Sequence, residues 1–328
     1  MLEKTMKQMI KKKVNEWIDS IDDERVKEAV EEDLIITGGC FTSMIQNESP
    51  NDFDFYFRTK ESVIKVAEYY VRKWNERHCK DDNYREVFVL DGADPSSDLL
   101  SKYGLSSLKE SESDTLARTP PERVKIIFPS EGITGDPEEA RAGEELGVDP
   151  ETIEEIDESR EEEYKNQEKE KYSPVFLSTN AITLSGGIQI IVRFYGEPGE
   201  IHQTYDFEHT KAYYDIKEDQ INIPNSVYET TVNKTLWYTG STYPVCSLFR
   251  LRKFIARGWS INAGQILKIA MQISELDLND IDVLEDQLVG VDSLYFMRLI
   301  EQFRKKKENN PDFDLTSEYV MSVVDRIF

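Results

Sequence analysis

Apolar residues recur along this chain with two different periods, and the switch between them outlines its elements. Near the start, Met6, Met9, Ile10, Val14, Trp17 and Ile18 fall on one face at helical spacing. Glu61 to Arg77 repeats the pattern, with Val63, Val66, Ala67, Tyr70 and Trp74 on its apolar side. Between these helices, Leu34 to Thr37 is a short apolar run ending at Gly38-Gly39, and Asp52 to Phe57 alternates strictly between polar and aromatic residues; both read as strands. Further strands are expected at Glu86 to Leu90, Val124 to Phe128, Val175 to Leu184 and Ile188 to Phe194. Ser185-Gly186-Gly187 joins the last two as a turn that requires glycine. Thr204 to Tyr214 is strand-like, preceded by a helical stretch around Glu200 to Gln203. From Pro244 onward the period is helical throughout, with an acid-rich stretch around Leu276 to Val289 and a basic run at Arg304 to Lys307. This pattern predicts an α+β protein: a mixed sheet with helices, then an all-helical C-terminal domain.

Alternation in Asp52 to Phe57 fixes a geometry. Successive side chains of a strand point to opposite faces, so Asp52 and Asp54 project together while Phe53, Phe55 and Phe57 fill the other side. Two adjacent carboxylates repel, and a hard divalent cation with oxygen ligands relieves that repulsion. Gly38 and Gly39 supply the complementary half of such a site, because a backbone without Cβ lets a phosphate come close. The chemistry these residues imply is phosphoryl or nucleotidyl transfer.

A double glycine at a strand end followed by Asp-x-Asp on the next strand resembles the nucleotidyltransferase superfamily that includes DNA polymerase β and the CCA-adding and poly(A) polymerases. In the CCA-adding and bacterial poly(A) branch the pattern is similar to GGxxRDxLLGxxxxDxD, and Gly39 to Asp52 keeps that spacing. Thr42-Ser43 stands here in place of the Arg-Asp of that branch, so its handling of triphosphate or tRNA does not carry over. The resemblance implies a polymerase β-like head with two Mg²⁺ ions held by Asp52 and Asp54. It also implies a nucleoside triphosphate bound about Gly38, Gly39, Thr42 and Ser43. A third carboxylate completes that family's site, and Asp206, between two aromatics, is the candidate as metal ligand or base; Glu208, two residues on, competes for the role. Ser247 to Ile261 resembles the segment where the head of CCA-adding enzymes passes into a helical neck, although Gly258 also reads simply as a helix C-cap. The expected organisation is therefore a catalytic domain over residues 1–243 and a helical domain over 244–328. Asn180 to Phe194 and Tyr205 to Asp215 also resemble uncharacterised proteins of tailed phages.

Composition changes this picture in two places. The chain has 328 residues, room for two modest domains, and a formal net charge of −24. Residues 131 to 170 hold seventeen Asp or Glu against four Lys or Arg, a net of −13. The stretch 131–171 reads as a charged helical insertion in the catalytic domain, with a surface for a protein partner as its sharper reading. Opposite in character is Thr230 to Ser274, without one Asp or Glu. It carries Lys234, Arg250, Arg252, Lys253, Arg257 and Lys268, interleaved with Trp237, Tyr238, Tyr243, Phe249, Phe254 and Trp259. Such a zone suits phosphates and stacked bases, so Arg250, Lys253 and Arg257 are the candidate nucleic-acid contacts.

Three cysteines without CxxC spacing point to a reducing compartment and away from a disulfide frame or zinc site, and Cys40 reads as a small apolar residue. His78, His202 and His209 are scattered and read as structural. No stretch reaches transmembrane length, and the N-terminus lacks the apolar core of a signal peptide, so a cytoplasmic protein without a membrane partner is expected. Three functions compete. One is template-independent transfer of a nucleotide to an RNA or tRNA 3′ end. The others are transfer to a protein or small molecule, and a degenerate member that binds without catalysis.

Overall fold

The computed structural model of the chain describes residues 2–79, 86–92, 123–127, 171–288, 294–310 and 313–327; the acidic insertion expected at 131–171 lies almost wholly outside them. Among the described residues the protein is mixed α/β, with eleven helices and two sheets. These residues divide into two compact units, one up to residue 202 together with 209–232, the other comprising 203–208 and everything after 232. The second unit thus begins earlier than the 243/244 boundary read from the sequence, and it borrows a short segment from before that boundary.

The first unit is built on a seven-stranded sheet of order β5-β6-β7-β2-β1-β8-β9. Its strands are β1 (Leu34–Thr37), β2 (Phe53–Phe57), β5 (Pro174–Leu177), β6 (Ala181–Leu184), β7 (Ile188–Ile191), β8 (Tyr213–Asp215) and β9 (Gln220–Asn222). All neighbours are antiparallel except β2 and β7, which run parallel. A separate antiparallel pair joins β3 (Phe88–Asp91) to β4 (Val124–Ile127). The stretch expected as one strand over Val175 to Leu184 is a hairpin instead. Ser178 and Asn180 take the chain through a turn in which Ser178 Oγ accepts from the amide of Ala181 at 3.1 Å, a local bond that competes with the ladder.

Helices α1 (Glu3–Asp19), α2 (Glu24–Asp33) and α4 (Lys60–His78) cover the apolar face of this sheet, and α3 (Gly39–Ile45) connects β1 to β2. On α1 the buried residues are Met6, Ile10, Val14 and Trp17, the expected face with Met9 and Ile18 at its margin. Trp17 joins the layers: its indole donates to Tyr70 Oη on α4 at 2.6 Å, and its ring meets the edge of Phe55 on β2. Thr59 caps α4 by accepting from the amide of Ser62, and Asp33 at the end of α2 accepts from both hydroxyls. Two short helices, α5 (Pro198–Gln203) and α6 (Asn225–Val232), complete the elements of this part of the chain.

The second unit is helical: α7 (Pro244–Ala256), α8 (Ala263–Ile273), α9 (Ile281–Leu288), α10 (Leu294–Asn309) and α11 (Ser317–Ile327). One core cluster gathers Phe207, Leu236, Tyr238, Leu251, Trp259 and Ile269; another gathers Ile281, Leu288, Leu299, Ile300, Phe303, Leu315 and Val323. No helix among the described residues is long and apolar enough to cross a membrane.

Candidate active site on the polar face of the sheet

Directly paired residues in a sheet share a face, so the register shows which side chains stand in line. One transverse row reads Ile182, Ile190, Phe55, Ile36, Tyr214 and Ile221, all buried in the core. The adjacent row on the other face reads Thr183, Gln189, Asp54, Thr37, Tyr213 and Asn222. Every member is polar or carries a hydroxyl. Asp54 stands at the middle, between the neutral Gln189 and Thr37.

Gly38, at the end of β1, sets the position of the Asp54 carboxylate. Its backbone has φ +91° and ψ −154°, a region essentially reserved for glycine, and its amide donates to the carbonyl of Thr210 at 3.2 Å. A Cβ placed on Gly38 would lie 2.3 Å from Oδ2 of Asp54, so the missing side chain is the space the carboxylate occupies. Nothing lies within 4 Å of the same position on Gly39, whose backbone borders open space. The two glycines therefore do different things: the first admits the carboxylate, the second leaves room for a ligand.

Asp52 precedes β2 by one residue and is exposed. Its place depends on the β6–β7 hairpin: the amide of Phe53 donates to the carbonyl of Gly187 at 3.0 Å, and a Cβ on Gly187 would come within 2.6 Å of the carbonyl oxygen of Asn51. Gly187, at φ +69°, allows this close approach, a role beyond the turn that the glycine pair makes.

Thr37 carries a hydrogen-bond chain that sequence reasoning missed. Its buried hydroxyl donates to the carbonyl of Ala212 at 2.8 Å and so has no further proton for His202 Nε2, 2.9 Å away. His202 is therefore the donor, with its ring edge-on to Tyr213. No local signal in the sequence links His202 to Thr37; only the fold brings α5 against the end of β1. Gln189 was foreseeable, since Ile188-Gln189-Ile190 alternates as a half-buried strand does.

The remaining expected residues divide. Thr42 is buried and its hydroxyl donates to the carbonyl of His209 at 2.9 Å, which anchors α3; Ser43 is half-buried on the same helix. The Cys40 thiol is pushed well up from its ordinary pKa by burial, and further by the charges of Asp54 and Asp52, so it is an inert core residue as read. Asp206 does not sit on a strand of the sheet. It belongs to the second unit, in a bend whose backbone bonds go to the segment around Trp237 and Thr239, followed by an isolated bridge at Phe207 and a short 3₁₀ turn over Glu208–Thr210. Its buried carboxylate accepts from Arg250 at 2.8 Å, and its charge, after desolvation, helps hold the Tyr238 phenol up to about 12. Arg250, expected at a phosphate, is thereby engaged within its own unit. Arg257 is exposed and Lys253 half-buried on α7 and its end. Of the aromatics expected to stack on bases, Tyr238, Tyr243 and Trp259 are buried in the second unit, whereas Trp237 is 53% exposed. Those rings supply the apolar core that a small helical unit needs.

The arrangement can do specific chemistry. Asp54 and Asp52 offer hard oxygen donors of the kind Mg²⁺ takes, and Gly39 offers space for a phosphate beside them. Among the described residues no three His, Cys, Asp or Glu side chains gather into a metal-sized group, so these two carboxylates would need substrate oxygens or water to complete a coordination shell.

A family profile described as Gabija anti-defense 2 family protein matches residues 8–234, a span that includes Gly38, Gly39, Asp52, Asp54 and Asp206 and ends before Arg250. The protein Gabija anti-defense 2 of Bacillus phage SPbetaL7 is 23% identical over 136 residues, which are 41% of this chain and 32% of that protein. The chain thus aligns with about a third of the relative's length. No solved structure matches.

Proposed function

The chain belongs to the Gabija anti-defense 2 family, and we propose that within the counter-defence this family name denotes it acts as a template-independent nucleotidyltransferase with an RNA or tRNA 3′ end as acceptor. One observation carries this reading: the Gly38 backbone and the Asp54 carboxylate share one space, 2.3 Å between the position of a Cβ and Oδ2, with Gly39 open beside them. The Thr37–Asp54 pairing sets the glycine pair beside the Asp-x-Asp strand, the juxtaposition that a phosphate held next to a carboxylate-bound cation needs.

In the proposed reaction the acceptor oxygen bonds to the α-phosphorus of a nucleoside triphosphate. The bond to the pyrophosphate oxygen breaks, pyrophosphate leaves with the electron pair, and the hydroxyl proton passes to solvent or a nearby base. Asp52 and Asp54 would hold Mg²⁺, whose contribution is to neutralise charge developing on the phosphate oxygens. Gly38 keeps the Asp54 carboxylate in place, and Gly39 leaves the approach to the triphosphate clear. Asp206, whose carboxylate accepts from Arg250, is given no part in this step.

Burial of Tyr238, Tyr243 and Trp259 favours a second acceptor class, a protein or small-molecule hydroxyl, because buried rings cannot stack on bases. Incubating the pure protein with Mg²⁺, each labelled nucleoside triphosphate and mixed cellular RNA and protein tests both. Label in RNA is the expected result, label in protein, or in a new small-molecule product when a metabolite extract is added, selects the second reading, and label in none of these sinks transfer altogether. Charge reversal at Lys253 and Arg257 is expected to weaken RNA binding and flatten its dependence on salt, since each lost phosphate contact removes about one counterion from the slope. Equal slopes in an RNA titration of the two proteins would exclude these cations from the acceptor site.

A further inference from the structure

Helix α8 carries its apolar residues on the wrong side for a core helix. Ile269 is its one buried residue, while Ile266, Leu267 and Met271 are 45%, 61% and 56% exposed, and Ala263 and Ala270 are exposed with them. Positions 263, 266, 267, 270 and 271 follow the i, i+3, i+4, i+7, i+8 rule, so the five side chains form one continuous stripe along the helix. Exposed apolar residues scattered singly need no explanation, but a contiguous stripe marks an interaction surface. Lys268 borders it, with its ammonium 5.8 Å from the ring of the exposed Trp237.

We propose that this face of α8 docks an amphipathic helix of a protein partner that has acidic residues beside its apolar stripe. Three observations select that occupant. The stripe is aliphatic, with the spacing that receives the knobs of a facing helix, and aliphatic side chains provide no stacking platform for bases. The sequence from Thr230 to Ser274 has no Asp or Glu before exposed Glu275 at the far end of the stripe, and Arg252, Arg257 and Lys268 are exposed within it, so away from that end the local charge favours a negatively charged partner. A second copy of the chain would bring the same cations against themselves. The net −24 of the whole chain does not cancel the local attraction, because charges more than about 8 Å away are largely screened at physiological salt. The inference stands apart from the transfer reaction: α8 lies beyond the span matched by the family profile.

The test uses the full chain and a synthetic amphipathic helical peptide with Leu along its stripe and Glu at the flanking positions, followed by fluorescence anisotropy. The double variant Leu267→Glu, Met271→Glu places two charges on exposed positions, so its thermal unfolding should match the wild type. Binding of the Glu-flanked peptide should weaken by about tenfold or more in this variant, and a Lys-flanked version should bind the wild type comparably poorly. Three results overturn the proposal: no preference for the acidic peptide, an RNA oligonucleotide whose binding is lost in the same variant, or a wild-type dimer that the variant dissociates.

Discussion

Replacing Asp54 with Asn is expected to lower the proposed nucleotide transfer by about a thousandfold, equivalent to losing about 4 kcal/mol of the charge stabilisation a Mg²⁺ held there would supply, while the fold survives. The carboxamide keeps the shape that fills the space beside Gly38, so the lost property is charge. Asp54 is flanked in register by Gln189 and Thr37, neither of which supplies a replacement negative charge. Thermal unfolding should be unchanged or slightly raised, because the repulsion between Asp52 and Asp54 is relieved. Initial rates of labelled nucleotide incorporation, read beside the unfolding temperature, make the comparison. An Asp54→Asn protein that transfers at the wild-type rate would remove the carboxylate pair from the mechanism.

Gly38→Ala is expected to damage stability and activity together. A Cβ at φ +91° and ψ −154° carries a backbone cost of about 1–3 kcal/mol, and its methyl would meet Oδ2 of Asp54 at 2.3 Å. Something must shift, and the movable group is the carboxylate. In a unit of this size the backbone cost alone lowers the unfolding temperature by several degrees. Transfer should fall by about a hundredfold or more through misplacement of Asp54. Gly39→Ala is the internal control. It meets no atom within 4 Å and lies in the first turn of α3, where alanine is the better helix former, so stability should hold or rise. If the two alanine variants behave alike in unfolding and in rate, the distinction drawn between the glycines is wrong.

Much of this fold was legible because its signals are local. Leu34 to Thr37 and Phe53 to Phe57 announce themselves by apolar run and alternation, and α1 and α4 by their buried faces. What could not be read was set by pairing across distance. Asp206 sits between aromatics just as Asp54 does, yet its backbone bonds to Thr239 and its carboxylate to Arg250, partners that no window around residue 206 contains. Likewise the aromatics of Thr230 to Ser274 have the composition of a stacking surface, but composition does not say which rings turn into the core, and Tyr238, Tyr243 and Trp259 do so from outside the helices. The alternation around Gln189 gives its face but not its neighbour, Asp54, which the register supplies, and His202 becomes visible only once the fold brings it against Thr37.

The parallel pairing of β2 with β7 has a consequence for how the protein is made and altered. Phe53 is matched with Ile188, so the strand bearing Asp54 acquires its second neighbour only after a very long stretch of chain has been drawn in. Such non-local pairing is slow to form, and the site should be among the last parts of the molecule to reach its native geometry. Thermodynamically the same closure is forgiving: each doubling of the intervening length costs only about 0.6 kcal/mol. The segment between these two strands is therefore a place where accessory sequence of very different lengths can be gained or lost while the polar row around Asp54 stays as it is.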